Sequence, residues 1–142
     1  MSDLDMAARG ILAWWTDLNQ MWDRRQAGRS RVKATETQLV RACLDYLAAR
    51  RIFAWRENSG GMKRGKRFIR FGGVKGMADI LGILPDGRIL AIECKMPGNG
   101  PSQDQLDFAA RVKASNGVAL LVYKPEDLWT AINTLCPPKK HR

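Results

Sequence analysis

Apolar positions recur at intervals of four, three and four at Ile11, Trp15, Leu18 and Trp22, which predicts an amphipathic helix over residues 3–25 with Asp3 as its cap. Trp14 widens the apolar face, and either the core or a second subunit must cover it. The stretch "AGRSRVKA" reads as a basic linker. A second helix follows in "TETQLVRACLDYLAARR", where Thr35 and Gln38 have the spacing of a capping box. Val40, Cys43 and Leu47 share a stripe with Glu36, so Glu36 stands at the end of the buried face. "IFAW" is a short strand. The glycine-rich stretch "RENSGGMKRGKRFIRFGGVKG" then reads as a mobile loop, with "RFIRF" as a strand inside it.

Two apolar runs, "ADILGIL" and "RILAIECK", flank Pro85-Asp86-Gly87 and predict a β-hairpin. After the Pro/Gly break "MPGNGP" come a third helix over residues 102–115 with Leu106, Phe108, Ala109 and Val112 apolar, and then a buried strand, "GVALLVY". The last helix is "PEDLWTAINTL", opened by Pro125. The order α, α, β, loop, β, β, α, β, α describes an α/β fold: a mixed central sheet flanked by helices, with a βαβ crossover. The chain divides into an N-terminal helix and basic linker (1–34), a core (35–136) and a basic tail (137–142).

The hairpin raises a chemical question, because Asp79 and Glu93 interrupt runs whose neighbours look buried. With Pro85 and Asp86 at the centre of a type I turn and Gly87 in the left-handed position after it, Leu84 faces Arg88. Counting outward, Asp79 faces Glu93 on the same side of the sheet, Cβ to Cβ about 5 Å. Lys95 joins that face, while Ile92 and Cys94 point away. A two-residue turn would separate the acids instead. Opposed carboxylates repel, the more so when partly buried, and a hard divalent cation is one remedy. The alternative is a solvated strand edge carrying a weak Glu93–Lys95 surface pair.

Charge and composition narrow the classes of chemistry. The 142 residues carry 24 Lys and Arg against 14 Asp and Glu, a net charge of +10, which points to a polyanionic partner. The single histidine, His141, lies in the tail, so triads, HExxH sites and paired-histidine nuclease motifs are excluded. Cys43, Cys94 and Cys136 are odd in number and widely spaced. They suit a reducing cytoplasm and form no zinc site. No run reaches membrane-span length, and the acidic N-terminus carries no secretion signal.

At this point "GMADILGI…GRILAIECKMPGNGPSQDQLDF" resembles the VRR-NUC branch of the PD-(D/E)xK nucleases, over roughly residues 35–128. The motif parts occur in order: helix Glu36, Gly76, strand Asp79, Glu93-x-Lys95, then Ser102-x-x-Gln105 at a helix start. Ala78 departs from the proline often found before the motif aspartate. The resemblance implies a restriction-endonuclease-like αβββαβ core with an extra N-terminal helix, and Mg²⁺ or Mn²⁺ bound by Asp79 and Glu93 with the backbone carbonyl of Cys94. It implies that Lys95 orients or activates the attacking water, and that Glu36 binds a second metal or holds a metal-bound water. It also implies that Gln105 positions Lys95 or a phosphate oxygen. Two rival roles stay open: Gln105 as the capping partner of Ser102, and Glu36 as a residue favourable to the helix dipole.

The implied activity is endonucleolytic hydrolysis of DNA phosphodiester bonds. Small stand-alone members of the family pair as homodimers and cut branched DNA such as Holliday junctions. Arg56, Lys63, Arg64, Lys66, Arg67, Arg70 and Lys75 would follow the phosphate backbone. Asn58 either contacts DNA or makes a turn. The "FGGVKG" glycines lack the GK[ST] ending of a phosphate-binding loop. The alternatives are a non-catalytic nucleic-acid-binding module on a nuclease scaffold, or a flap- or nick-directed nuclease within a larger complex.

Overall fold

The computed structural model describes residues 34–57, 61–70 and 73–138, together with Gly10 and Ala13. The rest of the expected N-terminal helix, Asn58 and the basic tail from Lys139 onward lie outside the described residues. Helix α1 (Glu36–Ala49) is followed by strands β1 (Phe53–Arg56), β2 (Gly61–Arg64), β3 (Arg67–Arg70), β4 (Ile80–Ile83) and β5 (Ile89–Cys94). Helix α2 (Gln103–Ala114), strand β6 (Val118–Val122) and helix α3 (Pro125–Leu135) complete the order.

Strands β1, β4, β5 and β6 form one mixed four-stranded sheet in the order β1-β4-β5-β6. β4 runs antiparallel to both β1 and β5, and α2 carries the chain from β5 across to β6, which lies parallel to β5. Alternation along each strand sorts its side chains onto two faces. On one face, Ile80, Leu84, Leu90, Ile92, Cys94 and Val122 pack with Leu39, Val40, Cys43 and Leu47 of α1 and with Leu128 and Ile132 of α3. On the other, Ala78 and Ala91 pack with Val112 and Phe108 of α2. Small residues there let α2 sit close to the sheet.

The helix starts follow the sequence signals. Thr35 caps α1 through a capping box with Gln38, and Ser102 caps α2 through one with Gln105. Arg50, just past α1, donates to the Tyr46 hydroxyl, to Asn133 Oδ1 and to the Cys136 carbonyl, and so ties α1 to the end of α3.

One element differs from expectation. The basic segment read as a loop with a single strand is a separate two-stranded hairpin, in which "GMKR" pairs with "RFIR". "GMKR" carries no β-branched or aromatic residue, so only its partner strand had a β signal. Among the described residues, no helix is long and apolar enough to cross a membrane.

Candidate active site

The hairpin of β4 and β5 has the predicted register. Leu84 N–H donates to the Arg88 carbonyl at 2.8 Å, and Gly87 takes the left-handed backbone the turn requires, at φ +89°. Ile83 pairs with Ile89 and Ile80 with Ile92, so one step further out sets Asp79 opposite Glu93. Asp79 lies one residue before β4. Its carbonyl accepts from Glu57 N–H at 2.8 Å, and its carboxylate Oδ2 accepts from Cys94 N–H, also at 2.8 Å. The carboxylate thus takes the place of the next rung of the β4–β5 ladder.

Lys95 N–H donates the other way, to the Val122 carbonyl on β6. Successive residues of a strand present their N–H and C=O groups to opposite neighbours, so the Cys94 carbonyl turns to the same side as the Asp79 carboxylate. The Cys94 side chain points into the core, hydrogen-bonded to Cys43. That contact and burial push its thiol well above the ordinary range, leaving it no acid–base part.

Glu93 is the only charged residue among the buried ones described, at 8% exposure. Its Oε1 receives Lys95 Nζ at 2.8 Å and Gln105 Nε2 at 2.6 Å. Its Oε2 is buried without a hydrogen-bond partner. A small pocket of about 20 Å³ adjoins Glu93 and Gln105, walled by Gly76, Ala78, Ala91 and Phe108. Burial in these surroundings raises the Glu93 pKa from 4.5 to about 7. Lys95 opposes the rise, and the charges of Asp79 and Glu36 add to it. Burial also acts to lower the Lys95 pKa, but the Glu93 hydrogen bond and the charges of Glu93, Glu36 and Asp79 outweigh it. The net shift is upward, and Lys95 stays protonated.

Glu36 sits half-buried in the first turn of α1, and its charge reaches both Glu93 and Lys95. The fold therefore gathers Glu36, Asp79, Glu93, Lys95 and Gln105 at one end of the sheet. Gln105 is the capping partner of Ser102, and its other end reaches a residue that the sequence reading did not pair with it. Its Oε1 accepts from Ser102 N–H to close the capping box, while its Nε2 holds Glu93 rather than Lys95. The residue that positions it, Gly76, has φ +72°, and a Cβ there would stand 2.1 Å from the Asp104 carbonyl oxygen. Only glycine lets the segment before Asp79 lie against the first turn of α2. The sequence reading placed Gly76 among the motif parts and missed this close approach, for which a glycine three residues before Asp79 is the only signal.

The nucleic-acid candidates are more dispersed. Arg56 ends β1, exposed, opposite Ile80. Arg64, Lys66 and Arg67 are exposed around the turn of the β2–β3 hairpin. The backbones of Lys63 and Arg70 belong to that hairpin, while their side chains lie outside the described ones. Lys75 is engaged elsewhere, in an exposed ion pair with Asp104 at 3.0 Å.

Among the described residues, no three or more His, Cys, Asp or Glu side chains form a group able to hold a metal ion. The candidate donor set is smaller and of a different make: two carboxylates and one main-chain carbonyl. These are hard oxygens of the kind that Mg²⁺ and Mn²⁺ accept, with water completing the shell. The buried, unpartnered Glu93 Oε2 is the feature that fits such an ion. No family model, curated protein or solved structure matches this chain. The nuclease resemblance therefore rests on the motif residues and their placement.

Proposed function

We propose that this chain is a divalent-metal-dependent endonuclease that hydrolyses phosphodiester bonds in DNA, on a restriction-endonuclease-like core. The observation that carries this reading is Glu93: buried opposite Asp79, paired through one oxygen with Lys95 and Gln105, and left without a partner on the other. A structural role gives a chain little reason to bury a carboxylate beside two further acids.

Asp79, Glu93 and the Cys94 carbonyl would hold the cation, with Glu36 beside them for a second ion or its water. When bound, a divalent cation supplies Lewis acidity toward the scissile phosphate and lowers the pKa of water at neutral pH without histidine. Lys95 keeps its proton on Nζ, and from its place against Glu93 it orients the attacking water and offsets charge gathering on the phosphate. Gln105 fixes the Glu93 carboxylate, so that its free oxygen keeps one direction.

The preferred substrate in this reading is branched DNA, cut by a homodimer. β1 is an edge strand whose Phe53 is 69% exposed and whose Phe53 and Trp55 rings lie 5.3 Å apart between centroids, an apolar surface that a second copy would cover. The test is purified protein on linear, flapped and four-way DNA with Mg²⁺ or Mn²⁺. Cutting by the wild type that vanishes in Lys95→Ala, while DNA binding stays, is the expected result. Equal binding by both proteins with no cutting by either would overturn the proposal in favour of a binding scaffold.

A further inference from the structure

We propose that the β2–β3 hairpin is a groove-entering ribbon that limits this chain to B-form duplex DNA and rejects A-form duplexes, an inference that rests on the nucleic-acid reading above. β2 and β3 pair with each other and with no strand of the main sheet. The two-residue connection Gly65-Lys66 has Gly65 at φ +64° in its first central position, the hairpin geometry that keeps the two strands twisted together. Gly65 has open space around it, so this glycine serves the turn and not a close contact.

The charge at the tip is uncompensated. Arg64 and Arg67 are directly opposed across the ribbon, an arrangement that destabilises a strand pair in isolation. Lys66 adds a third positive charge between them, and residues 61–70 contain no acid. Among the described residues, no ion pair engages Arg64, Lys66 or Arg67. The ribbon is also rooted at the site. The chain leaves the main sheet at Glu57, whose N–H holds the Asp79 carbonyl, and returns through Gly76, which lies against Asp104 and Gln105. A polyanion held by the ribbon is thus brought to the end of the sheet that carries Glu93.

Dimensions select the polyanion. Paired strands lie about 4.8 Å apart, and four residues extend roughly 13 Å. A two-stranded ribbon enters the B-DNA major groove, about 12 Å wide, and not the minor groove, about 6 Å wide. The A-form major groove is too deep and narrow to admit it. Simple attraction to phosphate would not tell these duplexes apart, whereas a ribbon that must enter the groove does.

The experiment measures binding in EDTA by fluorescence anisotropy, with a two-turn DNA duplex and the RNA duplex of the same sequence. The proteins are the wild type, Arg64→Ala/Arg67→Ala and Arg64→Lys/Arg67→Lys, each checked for an unchanged melting temperature. The wild type is expected to prefer DNA by roughly tenfold or more at physiological salt. The alanine variant should bind DNA no better than RNA, with a log–log salt slope shallower by about 2. The lysine variant should keep most of the wild-type slope while losing part of the preference, because lysine cannot make arginine's bidentate contact. Equal affinity of the wild type for both duplexes, or an equal loss on both in the alanine variant, would overturn the proposal. Cleavage with Mn²⁺ is assayed in parallel. A preference for DNA with no cutting sinks the nuclease reading and leaves the ribbon. Cutting with no preference sinks the ribbon and leaves the nuclease.

Discussion

Glu93 makes the metal-free protein's stability fall as pH rises through the range in which most proteins are at their best. Its carboxyl has a pKa of about 7 when folded and the ordinary 4.5 when unfolded. Below 4.5 both states hold the proton, and Glu93 contributes no pH dependence. Between 4.5 and 7 the unfolded chain has released it while the folded chain keeps it. Folded protein therefore binds more protons, and stability falls with pH at up to about 1.4 kcal/mol per unit. Above 7 both states are ionised and the loss is complete, about 3 kcal/mol in all. In a domain of this size that is roughly 10 °C in melting temperature. The assay is thermal melting from pH 5 to 8.5 in EDTA, repeated with Mg²⁺ or Mn²⁺. Glu93→Gln keeps the shape and removes the titration, so its melting temperature should lose the downward slope between pH 5 and 7. Added cation should stabilise the wild type at pH 8, where Glu93 is ionised, and have little effect on the variant. A wild-type slope that survives Glu93→Gln would refute the reasoning, because the buried carboxyl would then not be its source.

Two substitutions test the support around that group. Gly76→Ala places a Cβ 2.1 Å from the Asp104 carbonyl oxygen at a backbone φ of +72°; the expected loss is about 2–3 kcal/mol by denaturant unfolding, together with weaker cutting as Gln105 moves off Glu93. A loss under about 0.5 kcal/mol would show that α2 does not depend on this close approach. Gln105→Glu keeps an acceptor for Ser102 N–H but loses the donor to Glu93. Its melting temperature at pH 5 should stay near that of the wild type while DNA cutting falls by roughly tenfold or more. Gln105→Leu should lose both, and wild-type cutting by Gln105→Glu would assign Gln105 to capping alone.

What was legible in the sequence was what short-range chemistry decides. Pro85-Asp86-Gly87 sets a turn within three residues, and the turn sets the register that places Asp79 opposite Glu93. Thr35 with Gln38 and Ser102 with Gln105 mark helix starts for the same local reason. Contacts that close over long stretches of chain left no such mark. Arg50 reaches Asn133 and Cys136 from more than eighty residues away, and nothing in "LAARR" distinguishes it from its neighbour Arg51. The second bond of Gln105 was equally silent, since the spacing that announces a capping box accounts for one end of the amide and says nothing of the other.

The pattern of Phe53, Ile83 and Ile89 shows the same limit in the sheet. These residues follow one another across β1, β4 and β5 on the face that α2 covers only in part, and all three are exposed. Alternation alone marks them as inward-facing, because it reports which side of a strand a residue takes and not whether anything lies over that side. The carboxylates escape this ambiguity. An apolar residue on an uncovered face costs little, whereas Glu93 is buried beside Asp79 and Glu36 at an electrostatic cost visible in its raised pKa. An acid in an apolar run is therefore the more informative signal, and the unpartnered Oε2 of Glu93 is where a bound cation would relieve that cost.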